Sequence, residues 1–488
     1  MNMSSVKKAI GKLPRNGNPL MSHKFGADPY ALVYGERVYI FMTGDRLEYD
    51  EQGRPQPNSY KSINRIAVIS SDDLVNWTDH SYIQVAGPDG AAQWASQSWA
   101  PAAVHKIIDN QDRFFLYFAN NASGIGVLSA DSPLGPWVDP IGEALITRAT
   151  PGVENVTWLF DPAVLVDEDG KGYIYFGGGV PENQYENPGT ARVMALSDDM
   201  VHVQGKAETI PAPYMFEDAG IHKFEGTYYY TYCSNFYDGI RAEGSPPAGE
   251  IAYMTSDKPM GPWVYQGTIL KNPGHFFGVS GNNHHAIFSF QNNWYIAYHA
   301  QTLSQFLDIP EGYRSTHLNR LYHEEDGSIR DVNADYRGVE QAKWFNPYHW
   351  TTVPTIGWSS GVKTERTTEA EVEVGKGSDA PVTVMKRGDW IAIAAANLDI
   401  QSASRFRAII SNGDFEGVLE LRMDQKDGEL IGELPIPAAQ SQDSWTEQVA
   451  AVEGGQGIHD LYLVAGSSSE QFEIRLKAWV IEGANSTE

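Results

Sequence analysis

Two short patterns recur in a fixed order along the first 345 residues, and they restrict the fold more than any other feature of the chain. The first opens on a polar or aromatic residue, runs into an alternating apolar stretch, turns at Gly or Asn, and returns as an aromatic strand. It reads DPYALVYGERVYIFM from Asp28, WAPAAVHKIIDNQDRFFLYF from Trp99 and DPAVLVDEDGKGYIYFG from Asp161. It continues as EDAGIHKFEGTYYYTYC from Glu217 and HHAIFSFQNNWYIAYH from His284. The second pattern follows within each unit: IAVISSDDLVNW (66–77), IGVLSADSPLGPW (125–137), VMALSDDMVHV (193–203) and IAYMTSDKPMGPW (251–263). In the fifth unit HLNRLYHEEDGSI (317–329) takes its place as another strand, turn and strand. Period-two alternation marks strands, so each unit is two hairpins. Five such units spaced 56 to 71 residues apart predict five four-stranded sheets, an all-β five-bladed propeller.

After about residue 345 the texture changes. NPYHWTTVPTIGWSSGVKTE (346–365) is rich in Gly, Ser, Thr and Pro. Short alternating segments follow, including EAEVEV (369–374), WIAIAAANL, RFRAIIS, VLELRMD and HDLYLVAG, at the spacing of a β-sandwich. We expect a propeller over residues 1–350 and a β-sandwich (jelly-roll) over 351–488. A chain of 488 residues exceeds what one core serves, which fits two domains.

Composition narrows the partners. With 36 Lys and Arg against 62 Asp and Glu, the net charge is −26, which repels nucleic acid and anionic membranes and tolerates a neutral ligand such as a carbohydrate. Aromatic residues make up 12%, which suits sugar stacking and β cores alike. The single cysteine, Cys233, excludes an intrachain disulfide framework. The N-terminal stretch MNMSSVKKAIGKLPRNGNPLMSHK is cationic but has no apolar core of a secretory signal. No apolar run approaches the roughly 18 residues of a membrane span. A cytoplasmic location is the expectation. Oligomeric state is not legible.

The functional signal lies at the blade mouths. In a propeller the innermost strands converge on one funnel, and three of the five openers begin with a carboxylate: Asp28, Asp161 and Glu217. Singly, an acidic residue before proline is a turn former. Three in equivalent places repel one another and raise one another's pKa, an arrangement that suits glycoside hydrolysis, where one carboxyl is protonated and another ionised. Glu217, just after Tyr214 and Phe216, has the apolar neighbours that make a general acid. Asp28 is the candidate base, and Asp161 a charge that keeps a proton on Glu217.

These stretches resemble the family 43 glycoside hydrolases. GADPYALVYGERVYIFM matches the strand of that family's base, LFDPAVLVDEDGKGY that of its pKa-tuning Asp, and EDAGIHKFEGTYYYTYCS that of its acid. Asp218-Ala219 stands where the family commonly has Gly-Pro. The resemblance implies an inverting exo-glycosidase that releases α-L-arabinofuranosyl, and also β-D-xylosyl, residues from arabinoxylan-derived oligosaccharides. It implies substrate contacts from Trp99 (in WAPA), Phe160, Phe236 and Arg314 (in GYRSTHLNRL), and a structural calcium on His284 or His285 in GNNHHAI, with no cofactor required for chemistry. The loops GVPENQYENPGT (179–190) and NFYDGIRAEGSPPAGE (235–250) are expected to rim the mouth. The alternatives are a non-catalytic carbohydrate-binding propeller and a different propeller glycosidase, either an endo-arabinanase or xylanase or a retaining fructan hydrolase.

The C-terminal stretch resembles a family 6 carbohydrate-binding module through GDWIAI (388–393), GVLELRMDQKDGELIGELPIP (417–437) and GIHDLYLVAG (457–466). It lacks the sugar-binding Asn of that family's last strand, and Trp390 and Trp445 are the aromatics left for a platform. A sandwich packed on the propeller as a structural partner is the expectation.

Overall fold

The computed structural model describes residues 11–365, 382–439 and 445–483. The predicted strand EAEVEV lies outside them. Each opener becomes the inner strand of one blade: Ala27–Tyr34, Trp99–Ile108, Ala163–Val166, Met215–Phe224 and His285–Phe290. Each pairs antiparallel with the aromatic strand that follows it. Each inner strand touches the next, and the fifth touches the first, so the ring is closed.

Blades 1, 3 and 4 carry four strands in sequence order, whereas blades 2 and 5 carry three. The expected fourth strands there shrink to isolated bridges, Ile125 to Ile146 and Ser129 to Val138 in blade 2 and His323 to Ile329 in blade 5. In blade 2 the edge falls on DSPLGPWVDP, whose prolines cannot donate to a ladder. The exposed edge of blade 5 is covered by the N-terminal segment. Leu20 N–H donates to Thr316 O at 2.8 Å and Gly26 N–H to Arg314 O at 3.0 Å. Asn18 donates to Leu318 O (3.1 Å) and accepts from Leu318 N–H (2.8 Å), which fastens the start of the chain to the last blade.

The chain leaves the propeller in stitches. Thr351–Thr352 pairs with the strand Glu473–Gly483 of the sandwich. Thr355–Ile356 then returns to pair with Trp77 and Thr78 on the outer edge of blade 1, and Trp358–Ser360 crosses again to pair with Trp390–Ala392. The sandwich core is filled by Phe406, Ile410, Leu419, Leu421, Trp479 and Ile481 from its two sheets. Trp390 is not a surface platform: it is 4% exposed and packs with Trp358, Tyr462 and Val75 of blade 1. Asn76 adds a reciprocal pair to this interface, donating to Ala394 O (3.0 Å) and accepting Ala394 N–H (2.7 Å). Trp445 lies half-buried beneath the Lys477 ammonium.

Candidate active site

Four of the five blades carry a left-handed residue near the start of the inner strand: Asp28 (φ 46°), Ala100 (φ 40°), Asp161 (φ 48°) and Asp218 (φ 69°). Two residues on, the ladder resumes through Tyr30, Ala102 and Gly220, after earlier pairs at Ala27, Trp99 and Glu217, and in blade 3 it starts at Ala163. The structural equivalents of Asp28 and Asp161 are therefore Ala100 and Asp218. Trp99 and Glu217 stand one residue ahead of that register, so Glu217 is a fourth carboxylate outside the repeat and Asp218 the third within it. The dipeptides Asp28-Pro29, Ala100-Pro101, Asp161-Pro162 and Asp218-Ala219 carry this alignment in the sequence.

A cavity of about 550 Å³ opens where the inner strands start. Asp28, Asp161 and Glu217 line it, with Trp99, Phe160, His284 and Arg314. Phe216 and Tyr60 complete its aromatic walls, and neither was singled out as a substrate contact from the sequence. Phe236 is not among the lining residues; 45% exposed, it stands edge-on to Phe216 at 5.4 Å and braces that ring from outside. The loops expected at the rim instead hold each other, through stacked Tyr185 and Tyr237 (4.4 Å) and a bond from Asn235 to Tyr185 O (2.7 Å). The rim comes from blades 1 and 5, around Asn58, Ser280, Gln301 and Glu311.

Arg314 organises the floor. Its guanidinium donates to both oxygens of Asp45 (3.0 and 2.8 Å) and to Asp28 Oδ1 at 2.9 Å. Burial by itself would raise the Asp28 carboxyl, but the Arg314 charge, followed by that of His284, outweighs it and holds Asp28 well below the usual carboxylate range. Its backbone N–H donates to His299 Nδ1 at 3.0 Å, while His299 Nε2 meets Asn282 O at 3.1 Å, which holds the Asp28 backbone against that ring. Asp45 sits outside every opener motif and His299 is the last residue of the fifth, and nothing local in their sequence marks either as part of the site.

Glu217 is the opposite case. Burial raises its carboxyl well above its ordinary value, and the charges of Asp161, Asp28 and Asp218 add to the rise in that order. Burial and the Asp28 charge push Asp161 up as well, yet its Oδ2 accepts the Asp218 N–H at 3.0 Å. Glu217 Oε1 is buried with no hydrogen-bond partner among the described residues. Of the coupled pair, Glu217 is thus the one that keeps the proton.

His284 faces the cavity and His285 does not. His285 is sandwiched between Asp218 Oδ2 (2.5 Å) and Thr231 Oγ1 (2.7 Å), so both of its ring nitrogens are engaged. His284 Nε2 lies 3.1 Å from Asp218 Oδ1, and its Nδ1 is turned to Asp28 (3.4 Å) and Asp161 (3.8 Å). Both His284 nitrogens already face carboxylates, and no group of three or more His, Cys, Asp or Glu among the described residues is arranged to hold a metal.

A closed ring of blades around paired acidic and ionised carboxylates is matched by sequence over most of the chain. Residues 17–329 match the glycosyl hydrolases family 43 profile. The chain belongs to family 43. It is a glycoside hydrolase, and residues 354–482 match a carbohydrate binding module of family 6. This family 43 chain is 49% identical to an arabinoxylan arabinofuranohydrolase of Paenibacillus polymyxa, over 98% of this chain and 76% of that protein. It is 49% identical to one from Bacillus subtilis (strain 168), over 94% of this chain and 90% of that protein. The crystal structure of a family 43 arabinoxylan arabinofuranohydrolase from Bacillus subtilis, in complex with cellotetraose, superposes with a TM-score of 0.93 at 47% identity, covering 98% and 99% of the two chains.

Proposed function

We propose that this protein removes α-L-arabinofuranosyl side groups from arabinoxylan and its oligosaccharides with inversion at the anomeric carbon. The observation that carries the mechanism is the opposite displacement of two carboxyls in one cavity: Asp28 held ionised by Arg314, and Glu217 held protonated by burial and by Asp161. Asp28 takes a proton from the attacking water, and the water oxygen bonds to the anomeric carbon. Glu217 gives its proton to the departing glycosidic oxygen, so the bond to the main chain breaks as a neutral hydroxyl leaves. Asp161, fixed by the Asp218 N–H, keeps Glu217 protonated between turnovers. Trp99, Phe160 and Phe216 offer apolar faces to the ring, and Arg314 reaches the sugar from the floor. The choice of arabinofuranose rests on the two relatives at 49% identity over nearly the whole chain.

The test is sugar release from arabinoxylan, arabino-xylo-oligosaccharides and linear xylo-oligosaccharides by wild type, Asp28→Asn and Glu217→Gln. Arabinose from the first two substrates is expected, with losses of about 10²–10⁴-fold in each variant. Near-wild-type release by both variants would overturn the assignment.

A further inference from the structure

Of the 13 tryptophans, all within the described residues, only Trp344 (56% exposed) and Trp350 (47%) are exposed. Both line one cavity of about 590 Å³ at the seam between blade 1 and the connecting segment that leads into the sandwich. It is as large as the catalytic pocket and distinct from it. The inner strand of blade 1 leaves the catalytic pocket at Asp28, and after the turn at Gly35 the second strand starts at Arg37, which lines the seam cavity. The two sites lie at opposite ends of that strand, roughly 20 Å apart.

The polar lining is balanced and anchored. Arg37 and Lys343 both pair with Asp72, at 3.5 and 2.7 Å. The Asp73 carboxylate is taken up by Asn76 and by Gln341 (3.0 Å). Two cations and two carboxylates leave no net charge to attract an ion. His80 is bound to Ser70 Oγ at 2.7 Å, and burial lowers its pKa to about 4, so it too is neutral. What remains is a concave, hydroxyl- and amide-bearing surface beside the exposed indole of Trp344 and that of Trp350, which carries the Arg407 guanidinium over one face, a chemistry that recognises a neutral polyol with apolar ring faces.

We infer that this seam cavity is a second carbohydrate site that holds xylosyl residues of the arabinoxylan main chain against Trp344 and Trp350. The choice of xylosyl chain rests on the function proposed above. Capture there keeps the polymer at the enzyme and raises the local concentration of side groups at the catalytic pocket.

Affinity electrophoresis in gels containing linear xylan or soluble arabinoxylan tests this, alongside kcat/KM on an aryl α-L-arabinofuranoside, which engages only the catalytic pocket. Trp344→Ala with Trp350→Ala is expected to weaken retention about tenfold, since removing a buried-on-binding indole costs a kcal/mol or more. The single Trp344→Ala should weaken it less, and Trp344→Phe with Trp350→Phe should restore much of it. Aryl-glycoside turnover should stay at the wild-type level in all three, which also shows that they fold. Unchanged retention of the alanine pair would overturn the proposal while leaving the catalytic reading intact. Absence of arabinose release by wild type would overturn that reading and leave the retention result to stand by itself.

Discussion

Asp28 and Glu217 are both buried carboxyls, and their neighbours drive them in opposite directions. Asp28 faces a guanidinium and Glu217 faces other carboxylates. The acid limb of kcat/KM should therefore fall well below the ordinary carboxylate range and the basic limb well above it. Asp161 is the largest charge acting on Glu217, so Asp161→Asn lowers the Glu217 pKa and should move the basic limb to lower pH. A basic limb that stays in place in the pH profile would contradict the tuning role. The same displacement is a stability statement. Because folding raises the Glu217 pKa, the native state loses stability as pH rises from the ordinary glutamate range through the raised value. Glu217→Gln removes that loss, so its melting temperature should exceed the wild type's at pH 8, by an amount corresponding to about 1 kcal/mol or more, and the gain should shrink toward pH 5. Asp28 and Asp161 were legible in the sequence because each precedes a proline at a strand mouth. Asp45 and His299 were not, because only ring closure brings them under Arg314 and behind Asp28.

Four inner strands share one local device, a left-handed residue and the residue after it left out of the ladder before pairing continues. This bulge tips the preceding side chain toward the funnel, and that is how Trp99 and Glu217 reach it from one position ahead of the repeat. A reading of the sequence that aligned openers by their first striking residue placed Glu217 in register with Asp28. The alignment by bulge residue puts Asp218 there instead, bonded to His284 and His285. Ala100 is the one bulge residue without a polar side chain, and its φ of 40° is costly for alanine. Ala100→Gly keeps the N–H bond to Thr43 Oγ1 (2.8 Å) and should stabilise the fold by up to about 1 kcal/mol in thermal or urea unfolding. Measured destabilisation would show that the turn is not strained. The strand patterns were legible because alternation survives in every blade. The missing outer strands of blades 2 and 5 were not, since their segments carry strand-like residues but end in turns or prolines, and only the finished sheet shows which edge goes unpaired.

At the scale of the molecule, the propeller and sandwich are joined by strand stitches and by a buried contact through Val75, Trp358 and Trp390. The sequence announced two textures but could not show that its candidate platform tryptophan was consumed in this contact. Asn76 is buried at the seam, bonded to Asp73 and both ways to Ala394. Asn76→Ala leaves those groups unpaired and should cost about 2 kcal/mol or more. With the junction intact, calorimetry should show one transition, and the variant should separate it into two; a wild type that melts in two steps would mean the junction does not couple the domains. The central claim, that Asp28 activates water and does not itself attack carbon, is tested most directly by proton NMR of the first anomer released from an α-L-arabinofuranoside. The account predicts β-arabinofuranose first, with the α-anomer growing in by mutarotation. An initial α-anomer would mean retention, and with it a nucleophilic carboxylate that this mechanism does not contain.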